Sequence, residues 1–455
     1  MTDVAAPAPP AQRAAPPPLH EPAAPAPRFL ADVYEAASRC NKCSLCQAAC
    51  PTYVVNPVEW ETARGRVALV RDAIEGRLEL RDIADGPLST CLTCNNCVAV
   101  CPPRVPTAEI VSRARQELHE QEGYPPGQSW LLRSVLPRPS GTRNLHRLAR
   151  ATQTTGLYAA ARGLGLTRWM GTVGAMAERV GPLPRRRADQ RVRDLPAVTP
   201  PVRGRLGFLI CCYQNLVAPE ATEAAMRVLL ANGYDLEVPE TGCLGLPAQS
   251  MGDRHALVDM AVRTVTATAG LRVDALVGDV ASCTGHVQRY DRILGDDRLL
   301  AADARRVAGM TDLASAYLER AGWRAPLGPL RWTVAIDEPC SLPVDGPARG
   351  VARALLGGVP QLRITPLEEA AMCCGGPGAY AQGQPERSEA ILARKFEHVI
   401  ASQAQVLVTE NVSCLVQLRT GARRHAPGVR VMHLMEVLDA SIEAAQRRRP
   451  LMPVR

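Results

Sequence analysis

Residues 40–51 read CNKCSLCQAACP and residues 91–102 read CLTCNNCVAVCP, so one spacing of four cysteines followed by proline occurs twice. In proteins with two 4Fe-4S clusters, the first three thiolates of such a motif hold one cluster and the fourth reaches the other. A zinc site also uses C-x-x-C pairs, but tetrahedral zinc seldom takes three cysteines at this spacing before Cys-Pro. The spacing therefore predicts two clusters, one held by Cys40, Cys43, Cys46 and Cys101 and the other by Cys91, Cys94, Cys97 and Cys50.

The composition sets the class of protein. A chain of 455 residues is too long for one compact core and predicts two or three domains. Its 16 cysteines follow an N-terminus without the apolar core of a signal peptide, so we expect a reducing cytoplasm. No long apolar run is found, and any membrane contact is expected to be peripheral, on the inner face. The net charge of +8 is attributed to an arginine-biased surface, and with only three Phe nothing indicates nucleic acid as a partner.

The N-terminal half divides into three parts. Residues 1–28 alternate Ala and Pro and are predicted to be a disordered tail. Residues 29–124 show helical apolar spacing around the two cysteine motifs and are predicted to be a ferredoxin-type domain. Residues 125–203 are weakly patterned, then rich in Pro and Arg, and predict a helical linker.

The C-terminal half alternates short β-branched runs with helical segments, which predicts α/β units with a mainly parallel sheet. The half also repeats itself, as residues 204–325 and 326–445, before a short tail at 446–455. The matching cysteines of the repeats are Cys212, Cys243 and Cys283, then Cys340, Cys373 and Cys414. The first and second of these cysteine positions are 31 residues apart in the first repeat and 33 apart in the second. The second and third positions are 40 and 41 residues apart, and this agreement predicts a duplication.

The second repeat offers a fourth thiol, because Cys374 follows Cys373 directly. Ligand sites of open α/β sheets gather after strands and in such turns, so we predict a further cluster held by Cys340, Cys373, Cys374 and Cys414. Gly375 and Gly376 are expected to let the backbone approach that cluster. Burial as ordinary core cysteines is the alternative, which the repeated spacing disfavours. A vicinal disulfide is disfavoured by strain and by a reducing compartment.

The two motifs, the Arg64-Gly65-Arg66 segment between them and the duplicated cysteine stations together resemble the glycolate oxidase iron-sulfur subunit family, from about Phe29 to Leu438. The resemblance implies an α+β multidomain fold, with a helical two-cluster ferredoxin-like domain before duplicated α/β domains, called CCG domains, with mainly parallel sheets. It also implies an FAD-containing dehydrogenase subunit as partner. That partner would oxidise a hydroxy acid such as glycolate or lactate, and this chain would pass the electrons to a quinone or membrane-associated acceptor.

The first repeat departs from the family pattern, because Leu244 stands where the second cysteine of the pair is expected. Cys211 precedes Cys212, but neighbours on a strand point to opposite faces, so both can ligate only if the strand has already turned into a loop. We therefore expect Cys212, Cys243 and Cys283 to hold an incomplete cluster or none. His286 and His433 are expected to be core or surface histidines, although His286 follows Cys283 by three residues.

The sequence shows no flavin or nicotinamide motif, so the hydride chemistry is expected on the partner, and no residue of this chain is predicted to be catalytic. Three rival functions stay open. One is a heterodisulfide-reductase-like subunit whose CCG module reduces disulfides. The others are the iron-sulfur subunit of an anaerobic glycerol-3-phosphate dehydrogenase and a zinc-stabilised interaction protein.

Overall fold

A computed structural model describes residues 30–164, 180–343 and 346–447. The predicted disordered tail, residues 1–28, lies outside the described residues, as does the predicted C-terminal tail beyond Arg447. The described chain forms a helical N-terminal region and two domains, each with a four-stranded parallel sheet. This architecture confirms the predicted fold class.

The N-terminal region is held together by two longer helices, Ala63–Ile74 and Thr107–Glu122. The first begins where the Thr62 side chain accepts a hydrogen bond from the Gly65 amide, which satisfies an otherwise free helix N–H. Apolar residues of both helices share one core. The other helices of the region are short: Ala31–Val33, Tyr34–Ser38, Leu45–Ala49, Pro51–Val55, Glu59–Glu61, Leu80–Ile83, Ala84–Leu88 and Asn96–Ala99.

The described part of the segment predicted to be a linker is largely helical and packs against the first sheet domain. Leu132 is fully buried, and Arg133 forms a two-pronged ion pair with Asp253, with distances of 2.9 and 3.1 Å. No helix within the described ranges is both long and apolar enough to cross a membrane. The helices of the segment are Pro126–Trp130, Leu131–Val135, Pro139–Thr154, Leu157–Gly163, Ala188–Arg191 and Val192–Asp194.

The first sheet has the order β2-β1-β3-β4 and the second has the order β6-β5-β7-β8. The strands of the first are β1 (Gly204–Phe208), β2 (Tyr234–Glu237), β3 (Ala275–Gly278) and β4 (Thr311–Leu313). Those of the second are β5 (Thr333–Ile336), β6 (Arg363–Ile364), β7 (Val406–Thr409) and β8 (Arg430–His433). The shared order agrees with the predicted duplication.

Helices cover both faces of each sheet, as the connections between parallel strands require. In the second sheet, Val334 and Val408 point into one core cluster while Ala335 and Leu407 point into another. The helices of the first domain are Cys212–Val217, Pro219–Ala231, Leu246–Met251, Arg254–Ala269, Ala281–Val287, Tyr290–Ile293, Ala301–Met310 and Ala314–Ala321. Those of the second are Val351–Gly357, Gly378–Gly383, Pro385–Ala401, Val412–His425 and Leu434–Arg447.

The two sheet domains share an apolar core and are also joined by polar contacts. One apolar cluster includes residues of both sheets, among them Phe208 and Ile336. Between the two domains, Arg227 donates to the Asp439 carboxylate at 2.6 and 3.0 Å, and the Ala281 amide donates to the Glu410 carbonyl at 2.9 Å. The two cysteine-bearing sheets are therefore fixed relative to each other.

The strand order decides where the cysteines meet. From β1 the chain moves outward to β2 and then returns to the opposite side for β3, and the second sheet repeats this path. Such a reversal opens a crevice at the carboxyl ends of the two central strands, where ligands of open α/β sheets bind. The loops after these central strands, and those after β2 and β6, carry the cysteines that the sequence singled out.

Candidate functional site

The two N-terminal cysteine loops have the same unusual backbone. Lys42 and Ser44 in the first loop, and Thr93 and Asn95 at the matching positions of the second, have φ between 52° and 70°. A left-handed residue other than glycine costs about 1 to 3 kcal/mol, and such strain persists only where the surroundings demand it. Both loops therefore wind in one way around their thiols, a feature that cysteine spacing alone did not reveal.

The structure brings Cys50 of the first motif to the cysteines of the second. Cys50 interacts electrostatically with Cys97, which also faces Cys91 and Cys94. Burial, together with these neighbouring thiols, raises the pKa of Cys97 well above its ordinary value. Cys46 faces Cys40 in the first loop. The exchange of fourth cysteines between the motifs stays a prediction, and the placement of Cys50 supports it.

A buried arginine joins the two motifs. Arg66, 2% exposed, lies 3.8 Å from the Cys50 sulfur and acts electrostatically on Cys91. Its other donors bond the Pro87 carbonyl at 2.7 Å and the Thr90 hydroxyl at 2.9 Å. A second, half-buried cation, Arg115, donates to the Cys91 carbonyl at 2.8 Å. Positive charge so placed favours anionic thiolate ligands.

The first motif lies nearer the surface than the second. Cys43 is exposed, whereas Cys50 and Cys91 are buried. Two large apolar side chains beside the first loop, Leu45 and Trp60, are 53% and 56% exposed. The thiols therefore extend from the surface toward the interior.

In the second sheet domain, all four predicted ligands come together. Cys373 is hydrogen-bonded to Cys340 and Cys374, and Cys374 is hydrogen-bonded to Cys414. The Asn411 amide donates to the Cys414 sulfur at 3.5 Å. This group lies beyond the carboxyl ends of β5, β6 and β7, where the strand order opens the crevice.

A buried ion pair accompanies this group. Lys395 lies 2.9 Å from the Asp337 carboxylate, and neither side chain is more than 2% exposed. Burial acts to lower the pKa of Lys395, but the adjacent Asp337 carboxylate outweighs it, and the pKa is raised. Lys395 also donates to the carbonyls of Glu369 and Ala370, at 3.0 and 2.9 Å. The domain thus holds a permanent cation that interacts with Cys374 and Cys414.

The glycines after the cysteine pair have a packing role in addition to the one expected of them. A Cβ on Gly375 would lie 2.8 Å from the Ser388 carbonyl oxygen, and one on Gly376 would lie 2.5 Å from Gln417 Cβ. Gly375 also has φ +77°, which favours glycine. These glycines let the loop pack tightly on the helices Pro385–Ala401 and Val412–His425.

The ferredoxin-type region and the second sheet domain meet at their thiols. Cys94 is hydrogen-bonded to Cys373. The Asn96 side chain donates to the Ala371 carbonyl at 3.0 Å, and Leu92 packs in the same apolar cluster as Cys373. The two predicted ligand sets are therefore contiguous, which the sequence had not indicated.

In the first sheet domain, the structure corrects the expectation of three thiols. Strand β1 ends at Phe208, so Cys211 and Cys212 lie in and after a loop. The Cys211 sulfur is 3.5 Å from the Cys283 sulfur, and Cys212 is hydrogen-bonded to Cys211 and Cys243. Sequence reasoning left Cys211 out because it extended the strand to residue 210.

The donor chemistry fits iron-sulfur clusters. Each group consists of thiols, the ligands that such clusters take, and the loops have backbones that wind around them. Within the described part of the chain, no three His, Cys, Asp or Glu side chains are arranged to hold a metal ion by themselves. A 4Fe-4S cluster takes one thiolate at each iron, so its ligands surround a body larger than one ion.

Comparison with known proteins agrees with this arrangement. Residues 36–105 match the model of a 4Fe-4S dicluster domain, and residues 206–288 and 334–419 match that of a cysteine-rich domain, CCG. The "Probable glycolate oxidase iron-sulfur subunit" of Bacillus subtilis (strain 168) is 28% identical over 89% of this chain and 93% of its own length. The "Glycolate oxidase iron-sulfur subunit" of Escherichia coli (strain K12) is 26% identical over 89% and 94%.

A third relative covers a shorter part of the chain. The "Lactate utilization protein A" of Exiguobacterium sp. (strain ATCC BAA-1283 / AT1b) is 25% identical over 53% of this chain and 99% of its own length. The matches to both domain models agree with the paired cysteine loops and the duplicated sheets, and two of the relatives align over 89% of the chain. The chain therefore carries a 4Fe-4S dicluster domain and two cysteine-rich CCG domains, and over 89% of its length it is similar to glycolate oxidase iron-sulfur subunits.

Proposed function

We propose that this chain is the electron-transfer subunit of a flavin-dependent oxidase or dehydrogenase of 2-hydroxy acids such as glycolate or lactate. It receives electrons from an FAD-containing partner subunit and passes them to an acceptor. The names of the relatives, two glycolate oxidase iron-sulfur subunits and a lactate utilization protein, support this substrate class. The observation that carries the proposal is the hydrogen bond between Cys94 and Cys373, because it makes two separate ligand sets continuous.

In this proposal the two N-terminal sets each hold a 4Fe-4S cluster, and the set of Cys340, Cys373, Cys374 and Cys414 holds a third. Bound there, the clusters would supply centres that accept and donate single electrons. The protein residues set the conditions around them. Arg66 and Lys395 place buried positive charge beside the thiolates, and the apolar cluster around Leu92 and Tyr380 excludes water from the junction of two sets.

The exposed first motif is the proposed docking point of the flavoprotein. Cys43 is exposed, and Leu45 and Trp60 present apolar surface beside it. Exposed apolar side chains around a redox ligand suit a protein contact, since they are buried when the partner docks. We place the acceptor, a quinone or another membrane-associated group, at a different face, with the chain peripheral to the inner side of the membrane.

Co-purification tests the proposal. A tagged chain, expressed anaerobically in its native host, is expected to retain a flavoprotein, and the complex is expected to reduce a quinone analogue with a 2-hydroxy acid. Leu45→Ser/Trp60→Ser is expected to release the flavoprotein while leaving the iron content unchanged. Full dehydrogenase activity of the isolated chain, with no flavoprotein bound, contradicts the proposal.

A further inference from the structure

The first sheet domain gathers as many thiols as the second. Cys211 and Cys283 have their sulfur atoms 3.5 Å apart, and Cys212 is hydrogen-bonded to Cys211 on one side and to Cys243 on the other. The four thiols thus form one connected group. Cys211 is 2% exposed and Cys243 is 3% exposed, so the group lies in the interior.

The group differs from its counterpart in the position of its adjacent cysteine pair. In the second domain the pair Cys373-Cys374 follows β6, and Pro339 precedes Cys340. In the first domain the pair Cys211-Cys212 follows β1, and Leu244 follows Cys243. Cys211, in the loop after β1, therefore supplies the thiol that is absent at residue 244, and each domain presents four thiols.

The loop after β1 permits this exchange. Strand β1 ends at Phe208, and Cys211 has an extended backbone as the residue before the helix Cys212–Val217. Adjacent side chains diverge along a strand, but at a strand-to-helix turn this alternation no longer applies. Leu244 is 3% exposed and packs with Leu209 in the apolar core, so it contributes packing where its counterpart contributes sulfur.

An unpaired imidazole lies beside the turn that carries Cys243. His286 is 2% exposed, and within the described residues neither ring nitrogen has a hydrogen-bond partner. It lies one helical turn after Cys283, on the same helix face. Its Nε2 would be 3.0 Å from a Cβ on Gly245, so that nitrogen points at the turn that carries Cys243.

A buried polar group without a partner costs free energy, about 1 to 3 kcal/mol by mutational data, so it calls for an explanation. His433 shows the usual solution, because its two ring nitrogens bond the Asp279 carbonyl at 2.8 Å and the Met435 amide at 3.2 Å. His286 instead lies against Gly245, in the turn that carries Cys243, where a ring N–H can donate to a cluster sulfur.

Residues 132–137, which precede the first sheet domain, cover these four thiols. The Cys243 amide donates to the Leu136 carbonyl at 2.9 Å, and Leu132 packs in the apolar cluster that contains Cys243. A Cβ on Gly242 would lie 2.2 Å from the Pro137 carbonyl oxygen, so only glycine allows this close approach. The segment predicted to be a linker is the cover of the group.

We propose that the first sheet domain binds an iron-sulfur cluster of its own, through the thiolates of Cys211, Cys212, Cys243 and Cys283, with a ring N–H of His286 as a hydrogen-bond donor toward it. The assignment goes beyond the proposed function, because it concerns ligation and holds for any electron donor. It replaces the expectation that this repeat is degenerate.

Iron and sulfide quantification on the full chain, prepared anaerobically, tests the proposal. Since a 4Fe-4S cluster takes four thiolates, we expect Cys211→Ser to lose about four iron and about four sulfide per chain. Cys211→Ser/Leu244→Cys restores the paired arrangement of the second domain and is expected to regain them. Cys211→Ser with the iron and sulfide content of the wild type overturns the proposal.

Two measurements keep the test decisive if Cys211→Ser fails to fold. Cys373→Ser/Cys374→Ser, which removes the proposed site of the second sheet domain, is expected to keep about twelve iron atoms per chain, four at each of three sites, and about eight overturns the proposal. Zinc at this site instead of iron, detected by elemental analysis, overturns the assignment of an iron-sulfur cluster. For His286, His286→Leu removes the ring N–H groups and is expected to lower the reduction potential of one cluster, and a potential equal to the wild type in a redox titration removes the hydrogen bond from the proposal.

Discussion

The thiol of Cys94, in the second N-terminal motif, is hydrogen-bonded to the thiol of Cys373, in the second sheet domain. Each cysteine belongs to a different predicted ligand set, so the contact joins two sites and two domains. Apolar residues around it, among them Leu92 and Tyr380, keep it dry. Centres held by these sets would therefore be close neighbours in a low-dielectric surrounding.

This contact predicts magnetic coupling between the two sites. In the reduced protein, the EPR signals of the centres at Cys94 and Cys373 are expected to be broadened and to relax fast. Cys373→Ser/Cys374→Ser is expected to remove the broadening while the N-terminal signals persist. Cys212→Ser/Cys243→Ser, in the other sheet domain, is the matched control and is expected to leave the broadening unchanged. Broadening that persists in Cys373→Ser/Cys374→Ser but is lost in the control contradicts the proximity of the two sites.

Arg66 is predicted to tune the second N-terminal site. It lies 3.8 Å from the Cys50 sulfur and is buried, so replacing it with Met removes a nearby positive charge and makes reduction harder. Each ~1.4 kcal/mol of lost electrostatic stabilisation lowers a one-electron potential by about 59 mV. A redox titration followed by EPR measures the shift in Arg66→Met. The exposed Arg81→Gln is the control, and equal potentials in both variants refute the role.

The ion pair of Lys395 and Asp337 is predicted to matter for stability. Lys395→Met leaves the Asp337 carboxylate buried without its cation, which costs about 3 to 5 kcal/mol in comparable pairs. Urea unfolding of the anaerobic protein measures the loss, and the double variant Lys395→Met/Asp337→Asn is expected to recover most of it. Arg447→Gln breaks an exposed pair with Glu443 and is expected to cost at most about 1 kcal/mol.

Glu410 is predicted to make stability depend on pH. Burial raises its pKa to about 7, although the nearby Ser315 hydroxyl acts in the opposite direction. Between about pH 4.5 and 7 the folded state keeps a proton that the unfolded chain releases, so stability falls as pH rises, by at most about 1.4 kcal/mol per pH unit.

The variant Glu410→Gln is expected to flatten this slope and to be more stable than the wild type at pH 8. Thermal unfolding at pH 5.5 and pH 8 compares the two proteins, with the exposed Glu319→Gln as the charge-matched control. A wild type whose stability rises between these pH values relative to Glu410→Gln argues against a buried, neutral Glu410.

Much of the fold follows from local sequence patterns. The central strands are runs of apolar residues, such as Thr333–Ile336, whose burial on both faces makes the pattern plain. The edge strands Thr311–Leu313 and Arg430–His433 escaped prediction because they are short and each includes a charged residue, Asp312 or Arg430, that interrupts an apolar run. The domain limits at 124, 203, 325 and 445 remain predictions.

The sites were predictable where all ligands lie in one compact motif or recur at a fixed spacing. Cys211 escaped because its role depends on where strand β1 ends, and one or two residues decide that. The contact of Cys94 with Cys373 escaped because it depends on how two domains dock. The covering role of Leu136 and Pro137 escaped for the same reason.

The central claim is that this chain accepts electrons that a flavoprotein takes from a 2-hydroxy acid. Anaerobic stopped-flow mixing of the iron-loaded chain with its flavoprotein partner and glycolate or lactate tests it most directly. We expect the visible iron-sulfur absorption to bleach as the flavin is reoxidised, and no bleaching when the flavoprotein is left out. A flavin that becomes reduced and stays reduced while the iron-sulfur absorption is unchanged would contradict the account.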